Sequence, residues 1–148
     1  MAITAKIRSY SEREEKSDKK ESNLTPDLIR DRLFYFRDVA HFYHQETKGG
    51  WEHDALAQLY KGVEDFQDDI PEKIMGYMGG KRLGKLNRIQ VPEYSSLADS
   101  MKLAKDLISF SHELMLWAED HEFCDIENLA QGLSGLGAKT VYRLTLQG

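Results

Sequence analysis

At 148 residues the chain has room for one domain with a real apolar core, and its single cysteine, Cys124, excludes an intrachain disulfide. A formal net charge of −5 argues against a generic nucleic-acid binder, whose affinity rests on neutralising phosphate, and favours cations at the surface. No apolar run approaches the roughly 18–20 residues that span a bilayer, and the N-terminus lacks the apolar core of a secretory signal. The expected setting is soluble and cytoplasmic.

Residues 1–24 read as a charged N-terminal tail, dense in both signs, followed by a helical domain over 25–148. The first helix starts at Thr25-Pro26-Asp27: a capping hydroxyl, a proline suited to the first helical position, and an acid at the positive end of the dipole. Ile29, Leu33, Phe36, Ala40 and Tyr43 follow three-and-four spacing, and the helix stops near Thr47, before two glycines. On a helical wheel His44 lies about 50° from the middle of that stripe and His41 about 110°.

A second helix begins between Trp51 and Asp54, with Leu56, Leu59, Tyr60, Val63, Phe66, Ile70 and Ile74 inward. Pro71 deletes one of its hydrogen bonds and is expected to kink the helix or to end it and start another. Residues 76–93 form an irregular link with four glycines and Pro92, and Lys81, Arg82, Lys85 and Arg88 fall there within eight residues free of acids. A third helix is expected over about 95–119, apolar on a wide arc that includes Leu97, Met101, Ala104, Leu107, Ile108, Leu114, Met115 and Trp117. His112 is expected at the border of that arc, partly buried. A fourth helix covers about 126–146, with Leu129, Leu133, Leu136, Thr140 and Leu144 inward. Its Gly132, Gly135 and Gly137 weaken it unless they permit close helix contact. No strand pattern appears. Four long helices with one long central connection point to an all-α, four-helix bundle with a crossover between helices two and three.

Acids and histidines of the first two helices form the one cluster with a bearing on chemistry. His44 ends one helix and His53 opens the next, so a short turn lets their imidazoles approach. Asp68 and Glu72, four apart, share a helix face. Imidazole nitrogen with carboxylate oxygen suits iron, manganese or zinc. Yet His53 and Asp68 are fifteen residues apart on one helix, about 22 Å at the standard rise. They meet at one ion only if the carboxylates come from a second chain packed antiparallel, which gives a two-fold dimer two equivalent sites.

The segments "HQETKGGWEH" and "DDIPE" resemble the Dps-like miniferritins, whose inter-subunit ferroxidase site joins histidines from the first and second helices to an Asp-x-x-x-Glu pair of the neighbouring chain. The chain also looks like small ferritin-like proteins encoded by bacteriophages, with an "HxxHxxTK" first turn, a glycine-rich basic link ending in "PEY", and a closing "YRLTLQ" helix. The resemblance implies a ferritin-like fold, a homodimer or larger homo-oligomer, and iron held by His44 and His53 of one chain with Asp68 and Glu72 of another. His41 is the alternative first ligand, since its spacing of twelve from His53 fits the family without a gap. Glu64 is an extra candidate. The family's further acid, four residues after the second-helix histidine, is here Ala57, and the basic link replaces the family's small helix at the dimer axis.

Each signal has a plainer reading. Histidines near a helix C-terminus favour its dipole and free carbonyls. Glu64, Asp65 and Asp69 suit a solvated face, and His121 with Cys124 is half a zinc site without a second half. Trp51 and Trp117 read as core or interface anchors. Lys81, Arg82, Lys85 and Arg88 suit either an ordinary solvated loop or a grip on phosphate or nucleic acid. A non-catalytic phage module on the same scaffold, partnered by a virion or host protein, is therefore the rival expectation.

Overall fold

The computed structural model describes residues 22–146, so nearly all of the expected tail lies outside the described residues. Those residues are helical and contain no strand: α1 Pro26–Glu46, α2 Gly50–Tyr77, α3 Leu97–Asp120 and α4 Cys124–Leu144. The ends follow local chemistry. Thr25 accepts the Leu28 N–H at 3.1 Å, with Pro26 and Asp27 in the first turn. Ser96 opens α3 in a reciprocal capping box with Asp99. Asp99 accepts backbone N–H groups of Ser95 and Ser96, and those two bonds hold its carboxyl below the usual value. α3 closes on Glu122, which takes a left-handed φ of 60° so that Phe123 N–H reaches the Ala118 carbonyl at 2.8 Å.

Pro71 does not end α2, which runs unbroken through it. The missing N–H would have gone to the carbonyl of Gln67.

The first two helices bury the faces their spacing announces. Ile29, Leu33, Phe36, Ala40 and Tyr43 of α1 are buried, as are Leu56, Leu59, Val63, Ile70 and Ile74 of α2, with Tyr60 and Phe66 packed at the edge. In α3 the centre of the buried face is displaced from the expected one. Leu103, Phe110 and Ala118 join Ala104, Leu107, Leu114 and Trp117 inside, whereas Met101, Ile108 and Met115 are half-buried. His112 is accordingly exposed and not at the border of the core. Counting 100° per residue from Phe110, it turns to the far side of the helix.

α1 packs on α2, α2 on α4, α4 on α3, and α3 on α1. Phe36 and Phe110 join α1 to α3, with ring centroids 5.6 Å apart. A Cβ at Gly137 would lie 2.7 Å from Ile108 Cγ1 and 3.2 Å from the Ala104 carbonyl oxygen, so this glycine sets how closely α3 and α4 approach. Gly135 faces open space. The link after α2 lies along α1: Gly84 donates to Asp27, Asn87 to Asp31, and Tyr94 packs on Tyr43.

Candidate metal-ligand cluster

The three-residue turn between α1 and α2 brings His44 and His53 together. Their rings stack with centroids 3.7 Å apart. His44 Nδ1 lies 2.9 Å from the carbonyl oxygen of His53, and His53 Nδ1 lies 2.8 Å from that of His44. A carbonyl oxygen only accepts, so both Nδ1 atoms carry the proton. In the neutral rings both Nε2 atoms then hold a lone pair. This is the arrangement in which a backbone carbonyl fixes the tautomer and orientation of a metal-ligating histidine. It is equally a helix-end contact, because the His44 carbonyl belongs to the last turn of α1, where intrahelical donors run out. Tyr60, two turns beyond His53, completes the patch. His41 stacks on it at 4.2 Å and His44 meets its edge at 5.3 Å. His41 and His44 are half-buried and His53 is exposed.

Asp68 and Glu72 stand further along α2, both exposed. They line a groove of about 280 Å³ with Arg30, Phe34 and Arg82. Neither carboxylate has a hydrogen bond or ion pair with a described residue. The structure thus joins the two histidines, with His41 beside them, and leaves the two acids apart from them. Among the described residues no three His, Cys, Asp or Glu side chains converge on a point that could hold a metal ion.

Glu64 is engaged elsewhere: Arg37 Nη2 and Nε donate to its Oε1 at 3.0 and 3.2 Å. Burial works against the Arg37 charge, but hydrogen bonds to Glu64 and Asp38 outweigh it and raise its pKa. Asp65 is exposed, and Asp69 pairs with Lys73 at 3.3 Å. His121 Nδ1 lies 2.8 Å from the Trp117 carbonyl oxygen and its ring stacks on Trp117, which accounts for it as a helix-end contact; Cys124 is exposed. Lys81, Arg82, Lys85 and Arg88 are all exposed on the link.

Sequence reasoning missed Glu52. It is 3 % exposed and accepts from Tyr94 and Ser100 hydroxyls, both at 2.7 Å, tying the start of α2 to the end of the link and to α3. The Tyr94 phenol is held above its ordinary pKa, chiefly by burial, with Glu52 adding to the shift and a Thr47 contact opposing it. The signal was available, because Glu52 precedes Leu56 and Leu59 by four and seven residues, on the apolar stripe itself.

Compared with protein-family models, curated proteins and solved structures, the chain matches none.

Proposed function

We propose that the protein is a Dps-like iron-binding ferroxidase on a ferritin-like bundle, with its metal site shared between two chains. The observation that carries this reading is the His44–His53 pair, whose Nδ1–H groups are committed to carbonyls while both Nε2 lone pairs stay free. Two exposed carboxylates, Asp68 and Glu72, supply the oxygen half of a suitable donor set for iron, or for manganese or zinc. About 22 Å of helix separates the two halves, so a second chain lying antiparallel must bring them together. Fe(II) is the substrate and dioxygen or peroxide the oxidant. The carboxylates offset the growing positive charge and the histidines orient the ion.

Helix direction supports the ferritin-like part. The start of α2 meets the end of α4, with Trp51 Nε1 at 3.4 Å from the Leu144 carbonyl oxygen. The end of α2 meets the start of α4, where Lys73 pairs with Asp125 at 2.8 Å. α2 is thus antiparallel to α4, and α4 is antiparallel to α3 across a three-residue turn. α2 and α3 then run the same way, which requires the link to travel the length of the bundle, as a crossover does.

A second reading keeps the bundle as a non-catalytic binding module of a virion or host complex. It is favoured by Ala57 in place of a family acid and by four exposed basic side chains on the link, which suit phosphate or nucleic acid.

Iron stoichiometry, Fe(II) oxidation and oligomeric state separate the two. Under the ferroxidase reading, His53→Ala and the double variant Asp68→Asn/Glu72→Gln each abolish iron binding, and mixing the two restores one intact site per mixed dimer. A monomer, or an oligomer that takes up no iron, refutes that reading. A salt-sensitive shift on DNA without iron uptake supports the second.

A further inference from the structure

α1 carries a second recess, on an earlier stretch than His41 and His44 and independent of any metal. It lies between α1, the link and α3 and has a volume of about 460 Å³, within the range of small-ligand pockets, roughly 300–1,000 Å³. Its apolar wall is Leu28, Tyr35, Phe36 and Ile89. Four charged side chains also line it: Asp31, Arg32, Arg88 and Asp106.

The two acids are already matched. Asp31 accepts from Arg30 Nε at 3.0 Å and from Asn87 at 2.7 Å, and Asp106 pairs with Lys102 at 2.7 Å. The two arginines are not, since neither has an ion pair with a described residue. Arg32 lies over the Phe110 and Phe36 rings, 5.4 and 5.8 Å from their centroids, and its Nε is buried without an acceptor. The recess therefore holds an excess of guanidinium donors beside an apolar wall.

We propose that this recess binds a small monocarboxylate with an apolar body. Arg32 and Arg88 pair with the carboxylate, and Leu28, Tyr35 and Ile89 cover the body. The guanidinium fork matches a carboxylate edge. A dianion such as phosphate would face the Asp31 and Asp106 carboxylates with twice the charge and would leave the apolar wall without a partner.

The test is an amide ¹H–¹⁵N titration of the full chain with 3-phenylpropanoate. The expected result is saturable shifts confined to residues 28–36 and 87–90 and to α3 around Asp106. Loss of a charge-assisted bond weakens binding roughly tenfold or more in Arg32→Gln, and Arg88→Gln weakens it in the same direction. Arg88 is exposed on the link, so Arg88→Gln decides the matter if Arg32→Gln does not fold. Neutral 3-phenylpropanamide, inorganic phosphate and a short Glu-rich peptide serve as comparisons. Absence of saturation, or binding unchanged in the variants that fold, overturns the proposal. So does equal binding of the amide, which assigns the site to the apolar body alone, or of phosphate, which assigns it to charge alone. Preferred binding of the peptide overturns the small-molecule assignment.

Discussion

Gly137 and Gly135 sit in the same helix, two residues apart, and give opposite expectations for the same substitution. Either change to alanine gains about 0.8–1 kcal/mol of helix propensity. At Gly135 nothing lies within 4 Å of the new methyl, so Gly135→Ala is expected to stabilise by about that amount. At Gly137 the methyl meets Ile108 Cγ1 at 2.7 Å and the Ala104 carbonyl oxygen at 3.2 Å. Cγ1 sits on a β-branched stem with one strongly preferred rotamer in a helix, and a carbonyl moves only with its helix. Relief therefore requires α3 and α4 to separate, and overpacking of this kind costs about 1–3 kcal/mol. Propensity cancels between the two variants, so their stabilities should differ by about that cost. Urea unfolding followed by far-ultraviolet circular dichroism, at fixed protein concentration, measures the difference through the midpoint at constant slope. Midpoints that move together, in the same direction and by the same amount, would refute the claim that Gly137 sets the α3–α4 distance.

Three further outcomes follow from particular contacts. Glu122→Gly should raise stability by about 1 kcal/mol, because a left-handed φ of 60° strains a residue that carries a Cβ; an unchanged midpoint would mean the turn carries no strain. Phe110→Ala, at a fully buried ring against Phe36, should cost about 3–5 kcal/mol in the same assay, and a loss under 1 kcal/mol would place the core elsewhere. Burial pushes the Tyr43 phenol up to about 12 from its ordinary 10, with Asp99, Tyr35 and Asp106 adding to the shift. The unfolded chain therefore releases this proton first, and stability falls between pH 10 and 12, by about 1.4 kcal/mol per unit at most. Tyr43→Phe should flatten that slope, and an identical slope in the variant would count against it.

Periodicity and end signals carried most of the local structure. Thr25-Pro26-Asp27 announced the start of α1, and the three-and-four stripes of α1 and α2 named most of the apolar side chains that are buried, though not Val39, Ala55 or the acid Glu52, because helix geometry decides which residues share a face. It failed where the stripe is broad. The apolar arc of α3 is wide enough that its centre is not fixed by sequence, so His112 was expected at the core border and lies outside it. Pro71 likewise has a local cost, but whether a helix survives it depends on what surrounds the deprived carbonyl.

The candidate sites divide in the same way. The approach of His44 and His53 was legible, since a short turn between two helix ends leaves few alternatives. Their reciprocal bonds to each other's carbonyls were not, because these depend on the angle at which α1 meets α2. Arg37 holding Glu64 and Arg32 lying over Phe110 join residues far apart in the chain, and no spacing rule reaches that far. What the sequence determined by itself is each helix, the Thr25 cap of α1 and much of each apolar face, all set by interactions within a few residues. What the tertiary structure decided is which faces meet and which charges are spent, because burial and pairing are set by neighbours that only the packed chain supplies.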